Sequence, residues 1–185
     1  MGRINLRKSR NNPTGGGKTL FPIFWYTIFM KCRRAVAKDA KTISRLVCNT
    51  IRKVNSKDYN QKQISAWVKN NTAKQIKEKI QQRRPFFVIT DHHRIVGVSS
   101  LKLEKNEMSA LYVKQSELQR GFGSVLLKFV EKYAKNHGIK KLTINSSITA
   151  SNFYKAKGYQ KDKRVSHLMN GVRIACILMK KKLSN

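Results

Sequence analysis

The chain has 185 residues and a net charge of +31, from 40 Lys and Arg against 9 Asp and Glu. That length suits one domain, and a hydrophobic content of 40% gives it a core, which excludes a disordered basic tail. Three cysteines without CxxC spacing (Cys32, Cys48, Cys176) argue against a disulfide framework and a zinc site, and four scattered histidines offer no metal site, so a reducing, cytoplasmic setting is expected.

The excess charge points to an anionic partner: RNA, a membrane surface or a phosphorylated ligand. Residues 1–30 read as a basic and aromatic N-terminal extension, disordered in its first part. Its apolar run, Leu20 to Met30, is shorter than the roughly 20 residues a bilayer span needs. Basic residues precede that run as in a signal sequence. Lys31-Cys32-Arg33-Arg34 follows, however, where a small-residue cleavage site would stand. Met30 is itself a candidate start. Gly15-Gly16-Gly17-Lys18-Thr19 is not a P-loop, because Asn12 occupies the place of the first glycine that motif requires.

From residue 31 to 183 the pattern predicts one domain. Arg34 to Val36 is a short strand, and Asp39 caps a helix carrying Ile43, Val47, Ile51 and Val54. Asn60 with Gln63, and Thr72 with Gln75, form capping boxes that open two further helices. Phe86 to Thr90 is a buried strand, 91–93 a turn, Arg94 to Glu104 a long strand, and Glu107 to Val113 a third. Gly121-Phe122-Gly123-Ser124 leads into a helix with apolar rows Phe122, Leu126, Val130, Ala134 and Val125, Phe129, Tyr133. Glu131 and Lys135 are spaced to pair on its outer face, and Gly138 ends it. Lys141 to Ser146 is a strand and Thr149 to Lys157 a short helix. Asn170-Gly171 is a hairpin turn between Val165–Met169 and Val172–Met179. The fold class is α/β (α+β) with a mixed sheet.

The two glycines at 121 and 123 let the backbone turn sharply, and the N–H groups of the following helix then converge on one point suited to phosphate. Leu111-Tyr112-Val113, a polar loop, Gln119-Arg120-Gly121-Phe122-Gly123-Ser124 and a basic amphipathic helix resemble the pyrophosphate motif of the GNAT superfamily of N-acetyltransferases. A second signature of that family, a Phe-Tyr pair followed by Gly and an aromatic, stands at Phe153-Tyr154 and Gly158-Tyr159. The stretch from Tyr59 through Gln63-Ile64 to Trp67 is similar to a subset of bacterial members.

The resemblance implies a single GNAT domain with a mostly antiparallel sheet, splayed between the strands at 107–113 and 141–146. It implies acetyl-CoA as cosubstrate, with its pyrophosphate on the backbone of Gln119, Arg120, Gly121, Phe122, Gly123 and Ser124. The edge at Tyr112 and Val113 pairs with the pantetheine amides, and a backbone N–H near Val113 polarises the acetyl carbonyl. Asn152 and Lys157 are further cofactor contacts. Tyr154 is the general acid for the departing thiolate, and Glu107 the best carboxylate for a base. The sequence departs from the motif at Leu118, where the family usually has Gln or Arg, and at Ser147, where it often has Asn.

The acceptor is an amine on a small molecule or peptide. The alternating positions Ser109, Leu111 and Val113 are expected to share a face with Glu107. His167 is a weaker candidate on the acceptor side. The apolar strand from Val172 to Met179 would permit a homodimer. A basic nucleic-acid- or ribosome-binding protein on the same fold is the alternative reading, less favoured because no RNA-binding signature accompanies the charge.

Overall fold

The computed structural model of the chain describes residues 30–183. The N-terminal extension, with its glycine run and aromatic segment, lies outside the described residues.

The elements run β1 (Lys31–Arg34), α1 (Ala40–Lys53), α2 (Gln61–Lys69), α3 (Ala73–Gln81), β2 (Phe86–Asp91), β3 (Arg94–Lys102), β4 (Glu107–Val113), α4 (Phe122–Asn136), β5 (Lys141–Ser147), α5 (Ser151–Ala156), β6 (Gln160–Met169) and β7 (Val172–Lys182). The strands form one sheet in the order β1-β2-β3-β4-β5-β7-β6, antiparallel throughout except for the β4–β5 pair. Residues 92–93 form the β2–β3 turn with positive φ at both histidines. The hairpin strands β6 and β7 extend well past the predicted Val165–Met169 and Val172–Met179, because they stay paired as far as Gln160 and Lys180.

β2 is buried on both faces, as its unbroken apolar run requires. Phe87 and Ile89 join Leu101, Met108, Leu126 and Val130 in a core beneath α4. Phe86 and Val88 join Val98 and Ile174, with Ile43, Ile51 and Trp67, in a second core beneath α1, α2 and α3. Both capping boxes form: Asn60 and Gln63, and Thr72 and Gln75, exchange side-chain to backbone hydrogen bonds.

Three local predictions are corrected by tertiary partners. The first strand lies at Lys31–Arg34, because Lys31 to Arg34 pair with Thr90 to Phe87. The Asp39 side chain does not cap α1. It accepts from the Val36 N–H at 2.9 Å and from both terminal nitrogens of Arg33 at 2.6 and 3.0 Å. Glu131 pairs with Lys181 of β7 at 2.9 Å rather than with Lys135, so the α4 surface is tied to the sheet.

The Arg33 guanidinium holds the Asp39 carboxyl below the usual carboxylate range, with the Val36 N–H adding to it against the cost of burial. A depressed native value stabilises above the unfolded pKa near 3.9 and is lost as pH falls through the native value. Asp39→Asn is expected to lower stability by about 1–3 kcal/mol at neutral pH. In melting curves from neutral to strongly acidic pH, the variant should lose less Tm than the parent as the acid limb is crossed.

β4 carries a bulge that decides the site. Ser100 pairs with Ala110 but Leu101 pairs with Met108, so Ser109 is an extra residue. Alternation is therefore broken at Ser109. Met108 and Val113 face the core under α4, while Tyr112 packs on the core under the first three helices. The expected alternation from Glu107 to Val113 does not hold.

Candidate functional site

β4 and β5 are in register only at Glu107↔Thr143 and Met108↔Ile144. Beyond Met108 the strands separate, and the β5-facing edge of 109–113 is left without a strand partner. Thr50 of α1 donates its hydroxyl to the Val113 carbonyl at 3.1 Å, which fixes the end of this edge. Gly97 of β3 lies beneath it, and a Cβ there would stand 2.8 Å from Ile89 Cγ2 and 3.2 Å from the Tyr112 carbonyl oxygen.

The loop after β4 reaches α4 through two residues with positive φ, Gln119 at 62° and Gly121 at 87°. The Gly121 carbonyl accepts from the Ser124 and Val125 N–H groups at 2.9 and 3.1 Å. The Phe122 and Gly123 N–H groups precede those donors and, as the first residues of the helix, have no intrahelical acceptor. A Cβ at Gly123 would meet the Phe153 ring at 3.5 Å and Val113 Cγ2 at 3.6 Å, so the missing side chain leaves room where α4, α5 and β4 meet.

A cavity of about 610 Å³ occupies the gap between the strands. It brings together Tyr112, Val113, Gln119, Gly121, Gly123, Ser124, Tyr154 and Lys157 of the predicted set. Leu118 and Ser147, where the sequence departs from the family motif, line it too. So do Thr50, Val54 and Asn55 of the first helical region, which sequence reasoning missed. A polar Thr50 on the otherwise apolar Ile43–Val47–Ile51 face was the available signal.

Four predicted residues do not line this cavity. Phe122 is buried in the core under α4. Arg120 lies over the Phe122 ring and is ion-paired with Glu117 and, at 3.8 Å, with Asp91, so its charge is already matched. Asn152 is exposed on α5. Glu107 lines a second cavity of about 330 Å³ on the opposite side of the strand gap, 3.1 Å from Lys102.

Leu111, Tyr112, Ser147, Ala150 and Tyr154 border both cavities, so the two meet at Tyr154. Tyr154 is 2% exposed. Burial pushes its phenol far above the usual tyrosine value, with neighbouring Tyr112 adding to the shift. Burial also raises the Tyr112 phenol, against a smaller opposing effect of the Trp67 indole. Among the described residues the Tyr154 hydroxyl has no hydrogen-bond partner. His167 lines the second cavity, and its Nε2 is buried without a partner among the described residues. Cys176 is there too, but burial raises its thiol to about 11, which keeps it protonated and a poor nucleophile.

The Tyr59–Trp67 stretch braces this second cavity. Tyr59 donates to the Ala175 carbonyl at 2.7 Å and accepts from the Ile148 N–H at 2.9 Å. Its ring meets Trp67 edge-on at 5.3 Å, and Gln63 donates to the Arg173 carbonyl at 3.1 Å. Among the described residues there is no cluster of ligands for a metal ion, and no helix is long and apolar enough to cross a membrane.

Comparison with known proteins agrees with this geometry. Residues 55–183 match the family model for the acetyltransferase (GNAT) domain. No curated protein matches the chain by sequence. A GCN5-related N-acetyltransferase from Rhodopseudomonas palustris superposes with a TM-score of 0.77 at 25% identity, over 82% of this chain and 94% of that one. The PaiA N-acetyltransferase from Thermoplasma acidophilum, solved in complex with coenzyme A, gives 0.68 at 20% identity, over 83% of this chain and 98% of that one. A spermidine N-acetyltransferase variant from Vibrio cholerae gives 0.61 at 14% identity, over 85% and 95%. The last two speak for the fold alone. With the family model spanning most of the chain and the separated strands, glycine turn and tyrosine in one place, the chain belongs to the GNAT family and is an acetyl-CoA-dependent N-acetyltransferase.

Proposed function

We propose that acetyl-CoA occupies the larger cavity, that the amine acceptor enters through the smaller one, and that Tyr154 stands between them as general acid. The observation that carries this reading is that one gap between β4 and β5 contains the Gly121–Gly123 turn, a free strand edge and Tyr154. The cavity fits an extended thioester carrier: it takes in the glycine turn, is apolar along Leu111 and Phe153, and is bounded by the β4 segment 111–113, whose β5-facing edge has no strand partner.

Bound acetyl-CoA supplies an activated acetyl thioester. The N–H groups of Phe122 and Gly123 hold its pyrophosphate, with the helix dipole of α4 adding to them. Ser124 contributes less through its N–H, which is engaged by Gly121. Lys157, 6.0 Å from the Phe153 ring, stands at the cavity wall as a cationic contact for phosphate. The edge of β4 offers N–H and C=O groups to the pantetheine amides as a neighbouring strand would. The acceptor nitrogen forms its bond to the acetyl carbon from the Glu107 side. Tyr154 gives its proton to the sulfur as the thioester bond breaks, and Glu107 takes the proton shed by nitrogen.

Acetyl-CoA is expected to raise Tm at moderate salt, by an amount that grows with concentration as a specific ligand requires. RNA at the same salt is expected to leave Tm unchanged. A rise with RNA and none with acetyl-CoA would overturn the proposal.

A further inference from the structure

The second cavity does not end at Glu107. It continues into a third of about 430 Å³, lined from α3 and β3, and the two share Trp67, Asn70, Lys102, Ser109, Tyr112 and Met169. Lys79 and Arg84 line the far part. Neither has a carboxylate within ion-pair distance among the described residues. Arg84 is held in place by its donors to the Ser109 hydroxyl at 2.6 Å and the Leu101 carbonyl at 3.4 Å.

Both cations are half-buried. Burial, the largest cause for each, drives both values down; Arg84 and Lys102 press Lys79 down further. Glu78 opposes this for Lys79, and Glu104 and Glu107 for Arg84. Glu107 is already occupied by Lys102, Glu104 is exposed, and Glu78 lines the third cavity at its exposed rim without an ion pair to either cation. A protein that desolvates two cations beside a groove without pairing them gains when an anion arrives there.

We propose that the acceptor is an elongated amine carrying an oxyanion, a carboxylate or a phosphate, which Arg84 and Lys79 bind while the amine reaches Tyr154. This rests on acetyl transfer in the adjoining cavity. The length follows from the cavities: Tyr154 borders the second and not the third, while Lys79 and Arg84 border the third and not the second, so the acceptor must span the stretch the two share. An α-amino acid is too short to satisfy both ends.

The test measures thiol release from acetyl-CoA with a short and a long ω-amino acid, each beside its carboxamide, and with a long-chain aminoalkyl phosphate. The long acid should exceed its carboxamide in kcat/KM by at least about tenfold, the size expected for one charge-assisted hydrogen bond. The short acid should show no such preference. Lys79→Gln and Arg84→Gln should each move the long-chain ratio toward one. Lys79→Gln keeps the test clear of the bulge that Arg84 braces. A phosphate preferred over the carboxylate, or the reverse, identifies the oxyanion. A parent ratio near one, or a ratio unmoved in both variants, overturns the inference while acetyl-CoA still raises Tm. Absence of that rise overturns acetyl transfer itself, and this inference with it.

Discussion

Tyr154→Phe is expected to lower kcat by about 10²- to 10⁴-fold, the range for loss of a positioned proton donor. Its effect on acetyl-CoA affinity should be small. The ring packs edge-on against Phe153 and Tyr159, at 5.1 and 5.5 Å, and phenylalanine preserves both contacts. Only the hydroxyl is lost, and no protein group depends on it among the described residues. The raised value keeps Tyr154 protonated across the neutral range, so its proton is available for the proposed transfer to the thiolate. The sign is definite: a raised phenol loses activity only as pH climbs past its elevated value. The parent kcat should thus show no falling limb from Tyr154 between pH 7 and 10, near the ordinary tyrosine value. Pre-steady-state kinetics and a calorimetric Kd check the separation. Equal turnover in the variant removes Tyr154 from proton transfer.

The second large effect is Gly97→Ala. The added Cβ would stand 2.8 Å from Ile89 Cγ2 and 3.2 Å from the Tyr112 carbonyl oxygen, with Leu126 Cδ2 at 3.5 Å behind. Ile89 is fully buried, and its Cγ2 branches at Cβ, so it moves little without the backbone. Overpacking of this kind costs about 1–3 kcal/mol, or several degrees in Tm for a domain of this size. The strain also moves the β4 edge, so KM for acetyl-CoA should rise along with the loss of Tm. Gly123→Ala is the contrast. Its Cβ meets only ordinary contacts at 3.5 and 3.6 Å, inside a helix where alanine is favoured. It should keep or gain Tm while narrowing the place at which the phosphates sit. A Gly97 variant with parental Tm would show that the close approach is relieved by a shift of β3.

The sequence made the local signals visible because they depend on neighbours in the chain. The two capping boxes, the Asn170-Gly171 turn and the rows of α4 are all fixed within a few residues of themselves. What sequence could not supply depends on residues far apart. The bulge at Ser109 exists only relative to β3, and it moves Glu107 onto the face of Tyr112. Arg120 belongs to Asp91 and Glu117, one of them some thirty positions upstream. Lys181 takes Glu131 from the neighbour that helical spacing had offered. The glycine turn and Tyr154 were legible as motifs. The groove toward Arg84 was not, since its walls come from α1, α2, α3, β3, β4 and the end of β6.

The Tyr59 hydroxyl spends its proton on the Ala175 carbonyl of β7 and its lone pair on the Ile148 N–H just before α5. Burial raises this phenol to about 12, so the arrangement survives any ordinary pH. One side chain at the entrance of α2 thus ties β7, beside the second cavity, to the turn that leads into the short helix carrying Tyr154. A new acceptor could be met by changing Lys79 alone, whereas a change at Tyr59 would, on the proposed reading, disturb proton delivery as well. On the proposed reading, acceptor choice and proton delivery are coupled through this one hydroxyl, and Tyr59→Phe, which removes both of its hydrogen bonds, is expected to change both.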